Sequence, residues 1–293
     1  MKKIIEKASV LIEALPYIKN FHGKVTVIKY GGSAIEDNRL REGILQDIVF
    51  MSYVGMKPVL VHGGGPAISA RMRKCGIEPK FTKGLRVTDG KTIKIVEEVL
   101  SVVNKKIVQE IKILGGNAAG LSGKKDGLIK VRKSKIGELD LGYVGEIVSI
   151  NPEPLNKLIE SDTIPVIMPL GIGSDRKTYN INADDVSAGI AASLSAEKLV
   201  LLTNVRGILE NVNDEGSLFS TVNIAEIEKL LERKVIEGGM IPKVRACIRA
   251  LETGVKKTHI IDARVSHSLL LEIFTKEGIG TEIVRNGYSN IIR

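Results

Sequence analysis

Between Lys2 and Leu15 the apolar residues Ile4, Ile5, Ala8, Leu11, Ile12 and Leu15 recur on one helical face. Lys2, Lys3, Glu6, Lys7 and Glu13 lie elsewhere on it. The spacing predicts an amphipathic helix that Pro16 stops or kinks. This helix precedes the first strand, so its stripe either docks on its own domain or is buried against another subunit. The pattern then shifts to short apolar runs separated by helical periods. Strands are predicted at Val25–Ile28 and in "KPVLVHGGG", "IPVIMPLG", "KLVLLTNVRG" and "KKTHIID". Helices are predicted at Arg39–Tyr53, Pro66–Lys74, Thr92–Leu114 and Pro154–Ser161, and in "DDVSAGIAASL". Three more follow at Ala225–Leu231, Pro242–Glu252 and Ser268–Phe274. In "KKDGLIKV", Asp126–Gly127 reads as a two-residue hairpin turn between short strands. Strands alternating with helices imply an α/β fold around a mostly parallel sheet. The hairpin material between Gly115 and Gly145 is expected at one edge, as a lid. No Pro-, Ser- or Gly-rich linker divides the chain, so its halves share one continuous sheet.

Charge changes this picture little. The net charge of +9 comes from 43 basic and 34 acidic side chains spread along the chain. The densest basic runs, Gly123–Lys125 and Val131–Lys135, are short and lack interleaved aromatics. They argue for a solvated basic face that draws anionic substrates, and against a nucleic-acid surface. Cys75 and Cys247 are far apart, and only four histidines are present, so no zinc-type spacing occurs. Reduced thiols fit a cytoplasmic protein. No apolar run reaches membrane-spanning length, and the N-terminus has no signal-peptide pattern.

Candidate chemistry gathers at two glycine turns. In "VTVIKYGGSAIED" a strand ends in Lys29 against Gly31 and Gly32. In "HGGGPA" a second strand runs into Gly63, Gly64 and Gly65. Open α/β sheets bind ligands at the carboxyl ends of their strands. Free N–H groups and a helix N-terminus there make an anion site, and glycine lets the backbone approach it. Neither turn is G-x-G-x-x-G, and no G-x-x-x-x-G-K-[ST] occurs, so a structural role for either remains open. A lysine beside such a turn suits phosphoryl transfer, which depends on positioning and charge stabilisation. By itself Lys29 also reads as an ordinary strand end.

The motifs "KYGGSAI", "VHGGGPAI", "KGLRVTDGKT", "NINADDVSAGIAASL", "LLTNVRGIL" and "GGMIPKVRAC" occur in this order. Together they resemble the amino acid kinase family over essentially the whole chain, and within it the branch that phosphorylates N-acetyl-L-glutamate with ATP in arginine synthesis. The resemblance implies a three-layer sandwich with an extra N-terminal helix. It implies an oligomerisation helix over residues 1–20 and a single kinase domain over 21–293. An acetylglutamate-binding lobe would span about 21–175 and a nucleotide-binding lobe about 176–293. Lys29 matches the lysine beside the transferred phosphoryl, Lys243 a second lysine on the nucleotide side, and Asp184 the aspartate that organises both. Asp184 reads equally well as a helix N-cap. Gly63, Gly64, Gly65, Arg86, Asn180 and Asn182 fall on the substrate side. The fork of Arg86 suits a carboxylate; without the resemblance it reads as a surface ion pair. Asn180 and Asn182 offer amides to the acetamido group, or cap the turn at Asp184. Gly31, Gly32, Thr203, Asn204, Gly207, Leu209, Gly239 and Met240 fall on the nucleotide side, and the role of Arg206 is open. Mg²⁺ is expected on the nucleotide phosphates, so no protein metal ligand is named.

The extra helix, Glu13–Lys24 and "HSLLLEIFTKEGIGT" resemble the arginine-inhibited, hexameric members, a trimer of dimers. Tyr17, His267, Glu272 and Gly278 are the candidates for an arginine site. Alternatively, His267 caps the last helix and Glu272 is solvated. Some arginine-inhibited members bind a PII-type regulator, and nothing in this sequence indicates one. Rival readings are a glutamate or aspartate kinase of the same family, a non-catalytic nucleotide- or arginine-binding module, and a nucleic-acid binder.

Overall fold

The computed structural model describes residues 2–136 and 139–287, with side chains outside 2–8, 10–11, 33–34 and 135–136. The strands are β1 (Val25–Tyr30), β2 (Lys57–His62), β3 (Phe81–Thr82), β4 (Leu85–Arg86), β5 (Ala118–Ser122), β6 (Ile129–Ile136) and β7 (Leu139–Ile150). They continue with β8 (Ile164–Met168), β9 (Leu170–Gly173), β10 (Thr178–Asn180), β11 (Lys198–Thr203), β12 (Thr221–Asn223), β13 (Lys257–Asp262) and β14 (Thr281–Val284). The helices are α1 (Lys2–Phe21), α2 (Asn38–Tyr53), α3 (Gly65–Lys74), α4 (Gly90–Ile113), α5 (Glu153–Glu160), α6 (Ala183–Ser193), α7 (Ile224–Glu232), α8 (Met240–Glu252) and α9 (Ser268–Ile273).

Eight strands form the main sheet in the order β12-β14-β13-β11-β1-β2-β8-β5. Six run parallel; β14, with β12 beside it, runs against them. The apolar runs are nearly continuous because both faces of the sheet are covered. Val27, Val59, Val61, Leu199 and Leu201 face one core, completed by Val186 and Ile190 of α6 and Val244 and Ile248 of α8. The alternate residues Ile28, Tyr30, Leu60, Val200 and Leu202 face the other, completed by Ile44, Leu45 and Ile48 of α2 and Ile107 and Ile111 of α4. This is the three-layer α/β sandwich that the sequence predicts. β1 lies near the middle, between β11 and β2, which pins the height of Lys29 beside Leu201 and Val61.

Two expectations change. Asp126–Gly127 does not join paired strands. It forms a short 3₁₀ turn with Asp126 and Gly127 both left-handed, at φ 53° and 66°. That turn carries the chain from β5, the edge of the main sheet, into β6 of a small barrel of β10, β7, β6 and β9. An Asp-Gly pair reports left-handed backbone, not which strands pair. The material between Gly115 and Gly145 is thus divided between a sheet edge and this barrel. The second change is at Pro16, which neither stops α1 nor ends its pattern, since the helix continues to Phe21. Phe21 is buried, and Tyr17 and Ile18 pack half-buried on the second core. Ile12 and Leu15 remain 68% and 57% exposed, so that part of the stripe is bare. The side chains of Ile4, Ile5, Ala8 and Leu11 lie outside the described residues.

Candidate active site

β1 and β2 are parallel neighbours, so their carboxyl ends bring the two glycine turns together. The Gly63 N–H donates to the Tyr30 carbonyl at 2.8 Å. Gly32 sits at φ 77°, where a side chain is strained. Gly64 caps α3 without a side chain, and Pro66 follows in the first turn. The first N–H groups of α3 therefore open toward the glycine turns. Lys29 folds back over Gly31, and a Cβ on Gly31 would lie 2.5 Å from the lysine Nζ.

Period two along β1 points Lys29 to the same face as Val27, toward α6. There its Nζ lies 3.0 Å from Oδ1 of Asp184. Lys243, in the first turn of α8, donates to Oδ2 of Asp184 at 3.1 Å. The Lys29 contact is an ion pair without hydrogen-bond alignment, so Oδ1 has no aligned donor. Burial pushes the Lys29 ammonium down; Asp184 pulls it back, and Lys243 pushes it down further. For Asp184, burial acts upward, but the charges of Lys29 and Lys243 outweigh it and leave the carboxyl below its ordinary value. The trio is two ammonium groups about one carboxylate, with one positive charge in excess. Asp184 is not the helix cap: Asn182 is, its Oδ1 accepting from the Asp184 N–H at 2.8 Å. The cap falls two residues earlier because Asn182 is extended there, while Asp184 is already helical.

Lys29, Gly31, Gly32, Gly63, Gly64, Gly65, Arg86, Asn180 and Asn182 line one cavity of about 280 Å³. The resemblance places Gly31 and Gly32 on the nucleotide side and the others with the substrate or the transferred phosphoryl. Arg86 is buried, not a surface ion pair. Its Nη2 donates to the Gly65 carbonyl at 2.9 Å and to Ser69 Oγ at 2.8 Å, and its guanidinium stacks 4.7 Å from the Phe81 ring. Among the described residues no carboxylate pairs with it, and burial lowers its pKa. The cavity therefore has a cation at Lys29, another at Arg86, and apolar walls from Ile68, Phe81, Leu85, Leu100 and Ile181. These walls escape a motif reading, because in sequence they look like ordinary core.

Of the residues assigned to nucleotide, Gly31 and Gly32 line this cavity, while the others lie around the end of β11 and the start of α8, outside it. Thr203 Oγ1 accepts from the Val205 N–H and donates to the Val205 carbonyl, tightening the turn after β11. Asn204 is exposed and Leu209 bridges Leu218. A Cβ on Gly207 would lie 2.5 Å from Thr281 Oγ1. Gly239 and Met240 begin α8, one turn before Lys243. Arg206 pairs with Glu215 at 2.9 Å.

Among the arginine-site candidates, Glu272 is not solvated. It is fully buried, takes the His259 ring at 2.7 Å on Oε1, and accepts the N–H groups of Ile279 and Gly280 on Oε2. His267 occupies the N-cap position of α9 but makes no side-chain cap there; its Nδ1 meets Asp47 Oδ1 at 2.6 Å. Tyr17 is half-buried on α1. Gly278 is left-handed at φ 62°, and its N–H meets Thr275 Oγ1. The sequence reading passed over Lys198, which sits 3.2 Å from His259 Nε2 and over the Phe21 ring, with a pKa lowered by burial to about 8. Its place at the head of an apolar strand is the only signal it offers.

A parallel sheet with glycine turns, two lysines and a bridging aspartate at its carboxyl edge has the positive charge and free N–H groups that phosphoryl groups require. The chain belongs to the amino acid kinase family, whose profile matches residues 24–262. It is a kinase, which implies ATP as donor. Acetylglutamate kinase of Caldanaerobacter subterraneus subsp. tengcongensis is 56% identical to it over 280 residues, covering 95% of this chain and 93% of that protein. Acetylglutamate kinase of Desulforamulus reducens is 52% identical, covering 96% and 98%. N-acetylglutamate synthase from Neisseria gonorrhoeae, complexed with coenzyme A and N-acetyl-glutamate, superposes with a TM-score of 0.85 at 26% identity. That match covers 96% of this chain and 64% of the longer synthase chain. Among the described residues no helix is long and apolar enough to cross a membrane.

Proposed function

We propose that this kinase transfers the terminal phosphoryl of ATP to the side-chain carboxylate of N-acetyl-L-glutamate, giving N-acetyl-L-glutamyl 5-phosphate for arginine synthesis in the cytoplasm. The observation that carries this reading is the cavity lined by both Arg86 and Lys29. Arg86 takes the α-carboxylate in its fork. The walls take the acetyl group and the methylenes, with Asn180 and Asn182 at the amide. The side-chain carboxylate is then held at the glycine turns. There the N–H groups and Lys29 meet the charge that spreads over the transferred phosphoryl oxygens. Lys243 meets the nucleotide side, with the residues around Thr203 and Gly239. Asp184 pairs with both ammonium groups and aims them. Mg²⁺, bound with the nucleotide, would supply charge neutralisation of its phosphates. The residues present fit that arrangement, because the Asp184 carboxylate is already held between two lysines.

Arginine inhibits the enzyme in this proposal, and the bare stripe of α1 at Ile12 and Leu15 is buried between dimers in a hexamer. A PII-type regulator has no support here. The test is ADP release with ATP and Mg²⁺ on N-acetyl-L-glutamate or L-glutamate, with and without arginine. Turnover confined to the acetylated substrate supports the assignment, and preference for glutamate removes it. Turnover indifferent to arginine, or a hexamer that persists after removal of residues 1–20, discards the regulatory part.

Arg86→Lys tests the substrate end. A lysine keeps the charge but loses the fork and the stacking on Phe81. The KM for N-acetyl-L-glutamate is expected to rise roughly 10- to 100-fold, the worth of a charge-assisted hydrogen bond. The KM for ATP and kcat are expected to change little.

A further inference from the structure

His62 ends β2, one residue before the glycine turn, and is completely buried. Its Nδ1 lies 2.9 Å from the carbonyl oxygen of Gly63, and its Nε2 lies 3.1 Å from Nδ2 of Asn104 on α4. The same Asn104 nitrogen lies 2.9 Å from the Val166 carbonyl. A carbonyl accepts only, so this nitrogen is the amide NH₂, and its second hydrogen points to Nε2. Nε2 is therefore the acceptor and Nδ1 carries the proton, which it gives to Gly63. Room for Asn104 exists because residue 120 is glycine: a Cβ there would collide with the Asn104 amide oxygen. Burial also holds the ring neutral, lowering its pKa to about 4.

The consequence lies across the next peptide bond. No described peptide is cis. In a trans peptide the C=O and the N–H point in opposite directions. With the Gly63 carbonyl turned onto the buried imidazole, the Gly64 N–H of the same plane faces away from it, on the cavity side. Gly64 lines the cavity, and its N–H has no backbone partner among the described residues. We infer that His62 and Asn104 are positioning residues: through the Gly63 carbonyl they aim the Gly64 N–H at the oxygens of the phosphoryl group in transfer. Neither touches the substrate. A donor fixed before reaction stabilises developing charge without reorganising, and its supports set how well it is fixed. The inference rests on the kinase reading proposed above.

The first measurement is the imidazole ¹⁵N spectrum of the intact, labelled protein. A neutral His62 ring with its proton on Nδ1 is expected; a proton on Nε2 overturns the inference whatever the substrate. The second compares His62→Asn with His62→Leu. Asparagine places an N–H near the position of Nδ1 and is expected to keep kcat within about threefold of native. Leucine removes the donor and is expected to lower kcat about 10-fold or more, in the range of lost supporting contacts, with both KM values nearly unchanged. Equal losses in the two variants, or none in a folded His62→Leu, overturn it. Should His62→Leu not fold, the tautomer and the His62→Asn rate still decide. Native protein without turnover on N-acetyl-L-glutamate refutes the proposed substrate, and the tautomer then tests the contact alone.

Discussion

Gly31→Ala is expected to lower kcat by about 100-fold or more while leaving the fold intact, the loss typical of one preorganised charge-stabilising donor. The added Cβ would stand 2.5 Å from Lys29 Nζ and 2.9 Å from its Cε. Its three nearest non-neighbour heavy atoms all belong to the Lys29 side chain. The backbone at Gly31 is not left-handed, so alanine brings no conformational strain. The cheapest response is for the lysine to swing away, which removes the ammonium from its place and costs the core nothing. Gly32→Ala is the control. Its Cβ meets open space, but its φ of 77° strains any side chain, so it should lower Tm more than Gly31→Ala does. Rates and melting curves of the two variants separate the effects. A Gly31→Ala enzyme with native kcat would mean that the position of Lys29 does not govern the chemistry.

Asp184→Asn is expected to reduce kcat by at least about 1,000-fold, beyond the loss of a single donor because both lysines are affected. The carboxylate at 3.0 and 3.1 Å is what holds the two ammonium groups near each other. Asparagine keeps the shape and removes the charge. A buried Lys29 and a half-buried Lys243 of like charge then remain, and breaking a buried pair costs about 3–5 kcal/mol. The effect carries a pH signature. The Asp184 pKa is depressed in the folded protein, so its stabilisation is present above the ordinary carboxylate range and is lost as pH falls through the depressed value. In the variant Lys29 loses the partner that opposes its burial, and its pKa falls further. A depressed lysine destabilises at low pH and recovers as pH rises toward the ordinary lysine value. The stability gap between native and variant should thus be widest near neutral pH and narrow on both sides. Denaturant melts across pH measure it, and a gap that keeps widening into acid would refute the ion-pair account.

The elements were legible wherever periodicity was long. α4 and α2 show sustained helical stripes, and the strands that carry Lys29 and His62 are apolar runs closed by glycine. What escaped was decided by partners distant in sequence. Asp126–Gly127 announces a turn, but only the sheet decides that β5 pairs with β8 while β6 leaves for the barrel. Pro16 announces an interruption, yet the packing of Tyr17, Ile18 and Phe21 outweighs one lost helical hydrogen bond. Glu272 looks solvated beside the exposed Lys276 and Glu277, and only the fold brings His259 and the loop at Ile279 onto it. For the candidate site, the charged residues were found through motifs. The walls and the pair His62–Asn104 were not, since 42 positions separate that pair and neither residue is unusual in its own segment.

The cavity also has a division of labour in its construction. The lysine–aspartate trio hangs on β1, α6 and α8, packed into the larger core of the main sheet, while the Arg86 charge sits on β4. Apart from Ile181, which belongs to that core, the walls come from elsewhere: Ile68 from α3, Phe81 and Leu85 from the two-stranded β3–β4 ribbon, Leu100 from α4 and Val144 from the barrel strand β7. On the reading proposed here, the lysine–aspartate trio and substrate choice therefore draw on largely different elements, which meet where Gly64 lies against Leu100 and Ile68. Substitutions at the wall positions can be combined to accept a different carboxylic acid while the lysine–aspartate trio keeps its geometry. For enzyme engineering, that makes this protein a carboxylate phosphorylating frame with an exchangeable lining.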